Sequence, residues 1–310
     1  MAQPPPPRTI AARPLAAFVA ACIGVALFSL MDAAMKHLAL ALGAYSAMVW
    51  RNLIGAVLSG TVWFASRAPW PGGAIMRLHI WRGVIVSLMG WLFFWSITVL
   101  PLAEAIALTF IAPLLALYLA AILLGERVGR AAIFASLLGL AGVAVILWGR
   151  FGDGLPQHDA RAIWGVAAAF GSAMLFAYNL ILARQQAQAA DPAEIAFFQT
   201  LTVIFCLGLF APWWLTAATP ALWPMLGLAA LLAVTSLFIM SWAYARAEAQ
   251  ILIPVEYSAF IWAALCGWIF FAETLHPPLL VGTTLIITGC IIAARASARP
   301  QVGQVEELYV

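Results

Sequence analysis

Four ionisable side chains fall inside stretches of this chain that are otherwise apolar: Asp32, Lys36, Arg51 and Glu256. A charge in hydrocarbon is costly, so such residues face a cavity or a partner and mark paths for ions or substrates. Asp32 and Lys36 are four apart, hence on one helix face, and Arg51 lies about two turns into the next apolar stretch from the same side. Two readings stay open for the three. They form an ion-pair lock stapling the first two spans at the outer side, or a gate of opposite charges at an outer mouth that meets a zwitterion. Glu256 has no basic neighbour in sequence. A carboxyl so placed binds an amine, carries a proton, or is satisfied by hydroxyls and backbone.

Other groups read more quietly. Glu126 and Glu273 sit at span ends, where they hold loops or cap helices, and Glu104 and Glu248 open spans at the positive end of a helix dipole. Arg82 is either an inner-gate residue or an anchor whose guanidinium snorkels to the interface. Among fourteen tryptophans, Trp70, Trp81, Trp148, Trp164, Trp213, Trp214 and Trp223 lie near span ends, as in the aromatic belts of membrane proteins. Trp91, Phe94 and Trp95, with Tyr257 and Trp262, lie inside spans; they line a cavity for apolar side chains or pack against helices and lipid. Tyr178 and Asn179 add a polar pair, and Pro113 removes a backbone hydrogen bond where a bend beside a cavity is useful. Cys22, Cys206, Cys266 and Cys290 have neither metal-ligand nor disulfide spacing. No phosphate-binding loop, nucleophile elbow or dinucleotide fingerprint is present, which argues against an ATP-driven pump or an enzyme and calls for no cofactor or metal.

The elements that carry these residues are membrane spans. The chain is 65% hydrophobic and 9% charged, with mean hydropathy +1.02; an ordinary soluble domain is about 25% charged. Lipid is therefore its solvent. The net charge of +3 is spread along the sequence without a basic patch, so nucleic acid is not an expected partner. A hydrocarbon core of about 30 Å takes about 20 apolar residues of helix, and that ruler gives ten spans: Pro14–Met35, Ala44–Phe64, Leu78–Thr98, Leu102–Leu124, Arg130–Trp148, Ile163–Ala183, Ile195–Leu215, Ala221–Tyr244, Ala249–Phe271 and Pro277–Ala294. The runs are too long, and lack the alternation, for a barrel.

Eleven Lys and Arg residues, Arg67, Arg77 and Arg82 among them, then fall on the side of both termini, and three, Lys36, Arg150 and Arg161, on the other. That excess marks the cytoplasmic side. The halves repeat. Gly24, Ala26 and Asp32 match Gly171, Ala173 and Asn179 at an offset of 147 residues, and Glu126 and Gly142 match Glu273 and Gly289 at the same offset. With five spans per half, the copies enter the membrane from opposite sides, giving two inverted five-helix repeats. The expected organisation is an all-α polytopic protein: residues 1–13 a disordered cytoplasmic lead, 14–148 the first repeat, 149–162 a periplasmic linker, 163–294 the second repeat, and 295–310 a cytoplasmic tail. Small residues Gly139, Ala141, Gly142, Gly282 and Gly289 suit a scaffold or a dimer surface, so the chain is a monomer or a homodimer.

Several motifs in order resemble one family. They are Phe28-Ser29-Leu30-Met31-Asp32 with Lys36, Trp50-Arg51, Trp81-Arg82-Gly83, Leu100-Pro101-Leu102-Ala103-Glu104-Ala105 followed by Pro113 and Gly125-Glu126-Arg127, and, in the second half, Pro254-Val255-Glu256-Tyr257 with Glu273 and Gly289. Together they are similar to the EamA type of the drug/metabolite transporter superfamily. The resemblance implies a ten-helix carrier of small metabolites, often an amino acid exporter, with its substrate in a central cavity between the repeats. One departure is Tyr257, where many second repeats show proline after the glutamate, and it weakens the case for a kink there. The expected function is export of small amphipathic metabolites, amino acids first, across a bacterial inner membrane by alternating access. Uptake of a flavin or nucleotide-like compound, or a scaffold or sensor that moves nothing, are the alternatives.

Overall fold

The computed structural model describes residues 14–112, 115, 119, 130–151, 160–246, 255 and 258–297, which form helices and turns and no strand. The helices are α1 (Pro14–Leu42), α2 (Ala44–Ala65), α3 (Gly73–Ser96), α4 (Leu102–Thr109), α5 (Arg130–Phe151), α6 (Ala160–Ala189), α7 (Pro192–Gly208), α8 (Trp223–Tyr244), α9 (Ser258–Phe271) and α10 (Pro277–Ser297). Four stretches, Leu15–Leu42, Gly73–Val99, Arg161–Ala189 and Pro220–Tyr244, are long and apolar enough to cross a membrane, and shorter apolar helices accompany them.

Local chemistry sets the boundaries. Gly43, at φ 81, takes a left-handed conformation that lets α2 restart one residue after α1 ends. Proline opens α7 and α10, where its missing N–H costs nothing. The regular part of α4 ends at Thr109, four residues before Pro113, whose ring would clash with the Thr109 carbonyl in a continued helix. Several expected spans differ, and α3 among them begins at Gly73, ahead of the expected Leu78. α1 and α6 overrun their expected ends by several residues, because nothing in either sequence breaks the helix where the hydrocarbon ends. α7 stops at Gly208, before the expected Leu215, and a single turn at Ala211–Trp214 follows.

Packing obeys a two-fold exchange. α1 lies along α8 as α6 lies along α3; α1 touches α9 as α6 touches α4; and α2, α4 and α5 pack against their own counterparts α7, α9 and α10. Hydrogen bonds repeat the exchange: Ser236 donates to the Gly24 carbonyl at 2.6 Å from α8 to α1, and Ser172 to the Met89 carbonyl at 3.0 Å from α6 to α3. The molecule is an all-α polytopic membrane protein built as two inverted repeats. α5 and α10 meet so closely that a Cβ on Gly142 would stand 2.5 Å from the Gly282 carbonyl oxygen. The small-residue face is thus used within the chain, between the repeats.

Large apolar side chains such as Phe205 (70% exposed) and Trp268 (65%) point outward, as lipid requires. One buried cluster reaches from Met31 to Ile286 across both repeats.

Candidate functional site: a charged central cavity

A cavity of about 320 Å³ opens between α1, α2, α3, α6, α7 and α8. Asp32, Arg51, Arg82, Phe94 and Asn179, all singled out in the sequence, line it, and so do Phe28, Phe93, Phe176, Asn52 and Gln199. Asp32 comes from α1 and Arg51 from α2. Both line the cavity, yet among the described residues neither forms an ion pair within 4 Å. Arg51 instead donates to the Met31 sulfur at 3.2 Å and stands over the Phe94 ring at 5.3 Å, a cation–π contact. Gln199, from the middle of α7, turns an unpartnered buried Oε1 toward the same space.

Lys36 does not join them. Its ammonium pairs with Glu273, donates to the Leu100 carbonyl at 2.9 Å and sits 5.1 Å over the Phe271 ring. Glu273 also accepts the Leu102 N–H at 2.8 Å, so this carboxylate caps α4, in the other repeat, at the positive end of its dipole. The lock expected of Asp32, Lys36 and Arg51 is therefore divided. Lys36 and Glu273 close the end of the bundle where α3 meets α4 and α9 meets α10, while Asp32 and Arg51 face the cavity.

Arg82 is buried rather than snorkelling. Its Nε donates to Asn179 at 2.9 Å and its guanidinium to Gln186. The aromatic expectations divide too. Trp91 packs 5.7 Å from Trp214, and Trp95 lies partly buried against the core. Trp262 is 39% exposed on the outer surface, and Tyr178 accepts a hydrogen bond from Trp81 at 3.0 Å. The rings at the cavity are phenylalanines: α3 presents Val86, Met89, Gly90, Phe93 and Phe94 to it at the three- and four-residue spacing of one helix face, and Trp91 and Trp95, each one residue further on, turn about 100° away. Pro113, Glu256 and Tyr257 lie outside the described residues.

Sequence reasoning missed Gln199, Asn52, His79, Gln186 and Glu194. All are polar residues within or at the ends of apolar runs; three are neutral, and a search for charges passes over them.

Over residues 15–148, and again over 163–295, the sequence matches the EamA-like transporter family. The chain belongs to that family. It is a member of the drug/metabolite transporter superfamily, and the double match is the duplication seen in the packing. Among relatives, the pseudopaline exporter CntI of Pseudomonas aeruginosa (strain UCBPP-PA14) is 25% identical over 274 residues, 86% of this chain and 92% of the relative. The riboflavin transporter of Rhizobium johnstonii is 28% identical over 242 residues, 74% of this chain and 75% of the relative. A solved crystal structure at 20% identity superposes with TM-score 0.63 over 93% of this chain and 100% of its own, which speaks to fold alone. This EamA-like protein is thus a multi-pass membrane transporter of small metabolites.

Proposed function

We propose that this EamA-like protein exports amino acids, or metabolites with an amino-acid head, across a bacterial inner membrane by alternating access. One observation carries the reading: Asp32 and Arg51, an acid and a base, line one cavity with no ion pair between them within 4 Å. An α-amino acid supplies the two missing partners, its ammonium to Asp32 and its carboxylate to Arg51, the latter by the planar two-point contact that a guanidinium favours. Phe28, Phe93, Phe94 and Phe176 then offer apolar walls to the side chain. Buried charges of this kind are expensive unless matched, so the site favours a zwitterion over a neutral solute. The exporter among the relatives supports the direction, and the basic excess at the α2–α3 end supports cytoplasmic termini.

A riboflavin transporter among the relatives favours a second reading, a flavin carrier, which would stack its ring system on the same phenylalanines. Counterflow in proteoliposomes separates the two. Labelled L-leucine should exchange with unlabelled leucine and phenylalanine and not with riboflavin; riboflavin exchange without leucine exchange would install the flavin reading, and exchange of neither would overturn both.

A further inference from the structure

At the cavity end opposite the Lys36–Glu273 pair, five buried polar groups form one chain of hydrogen bonds through α3, α6 and α7. Arg82 joins Asn179 and Gln186; Gln186 Nε2 meets His79 Nδ1; and His79 Nε2 meets the Glu194 carboxylate at 2.9 Å. Arg82 and Asn179 line the cavity. Glu194 ends the chain away from the cavity, and His79 between them is fully buried.

The donors leave little freedom. A guanidinium only donates, so Gln186 must aim its Oε1 at Arg82 and its NH₂ at His79. His79 Nδ1 is therefore an acceptor, and its Nε2–H donates to Glu194. Every bond is satisfied by a neutral imidazole. A proton added at Nδ1 turns that acceptor into a donor facing a donor. Rotation of the Gln186 amide restores the bond to His79, but its NH₂ then faces Arg82, and the Arg82–Gln186 bond is lost.

The second repeat tells whether the fold needs this chain. At the offset of 147 residues, Gln186 and Glu194 correspond to the buried Ala39 and Ala47, and α8, the counterpart of the helix that carries His79 and Arg82, has neither histidine nor a charged residue. A structural requirement shared by both repeats would be met twice; this one is met on one side only.

We propose that His79 is a proton site coupled to the substrate cavity: a proton bound at His79 Nδ1 turns Gln186 and frees one arm of the Arg82 guanidinium, whose Nε stays on Asn179, for an anionic group in the cavity. Release of the proton to the other side, once the cavity has opened there, restores the closed chain. The charged group facing His79 is Glu194 from α7; Arg82, on its own helix, is joined to it through Gln186, and Tyr244 from α8 acts on Arg82. Histidine changes charge within the physiological range. The proposal rests on the transport reading above but not on the amino acid substrate.

Two measurements test it. Protein labelled at histidine ¹³Cε1 and arginine ¹⁵N, in nanodiscs without substrate, is titrated by NMR from about pH 5 to about pH 9, the span of imidazole ionisation. The His79 signal, assigned by its loss in His79→Gln, should titrate, and the Arg82 Nε signal should move with the same midpoint. In Gln186→Leu, His79 should still titrate while Arg82 stands still. An Arg82 signal that ignores the His79 titration, or a His79 that keeps one charge throughout, overturns the proposal.

In proteoliposomes loaded with a pH dye, an L-leucine gradient should move protons in the wild type and in His37→Gln, whose exposed imidazole lies outside the chain. His79→Gln should keep leucine counterflow and lose the proton signal to the level of empty vesicles. Leucine movement without protons in the wild type sinks the coupling and spares the substrate. A linked NMR titration with no leucine movement sinks the amino acid reading and supports the proton site.

Discussion

At the scale of single residues, the cavity charges make the sharpest prediction. If Asp32 receives an ammonium, Asp32→Asn should weaken leucine counterflow by about thirtyfold, the equivalent of about 2 kcal/mol for a lost charged hydrogen bond. The same variant should lose discrimination against 4-methylpentanoate, which has leucine's carboxylate and side chain but no amine. Arg51→Gln should show the opposite bias, hurting the carboxylate and sparing the amine isoamylamine. Counterflow competition with the three compounds checks both, and equal losses for all three would point to damaged packing. Asp32 and Arg51 were legible in the sequence because a charge in an apolar run has few reasons to be there. Lys36 was legible as a buried charge but not in its partner. A spacing of four fixes which helix face it occupies, whereas Glu273 lies 237 residues away, and only the folded chain brings them together. Gln186 and Gln199 carry no charge and broke no pattern.

At the scale of elements, the repeats meet along seams that the sequence displays as small residues. Gly142→Val would drive side-chain carbon into the Gly282 carbonyl and Ile286, with no flexible side-chain end to give way at the backbone. Overpacking of this kind costs about 1–3 kcal/mol, so the midpoint of thermal unfolding in detergent should fall. Gly72→Val, where a Cβ meets nothing within 4 Å, should leave it unmoved. The Lys36–Glu273 pair makes a second seam. Lys36→Met alone strands a part-buried carboxylate and should destabilise strongly, since breaking one side of a buried pair costs about 3–5 kcal/mol. Lys36→Met with Glu273→Gln removes the stranded charge and keeps an acceptor for the Leu102 N–H, so it should recover much of the loss in the same melting assay. The all-α, polytopic character could be read from hydropathy. Helix ends could not, because α1 and α6 run past the hydrocarbon with no proline or glycine to stop them, and α7 ends at a glycine that hydropathy does not see.

At the scale of the whole molecule, duplication gives two halves of one shape, and the polar residues make them unequal. One end of the bundle is tied by an ammonium, a carboxylate and a helix N-terminus between α1, α4 and the α9–α10 turn; the other by an amide and an imidazole that join a guanidinium to a carboxylate between α3, α6 and α7. A carrier whose two closures had identical chemistry would answer identical conditions on both sides of the membrane. Unequal closures let each side respond to what that side offers. Direction therefore depends on which end is cytoplasmic, and the argument for that is charge: Arg67, Arg77 and Arg82 lie toward the α2–α3 end, and basic residues are retained inside. Ala217 is exposed at the Lys36 end and Gly72 at the other. In a background with the native cysteines replaced by alanine, Ala217→Cys should react with a membrane-impermeant maleimide when spheroplasts are intact, whereas Gly72→Cys should react only after lysis. The reverse pattern would place the histidine chain outside and turn the proposed exporter, with its proton site, into a carrier loaded from the periplasm.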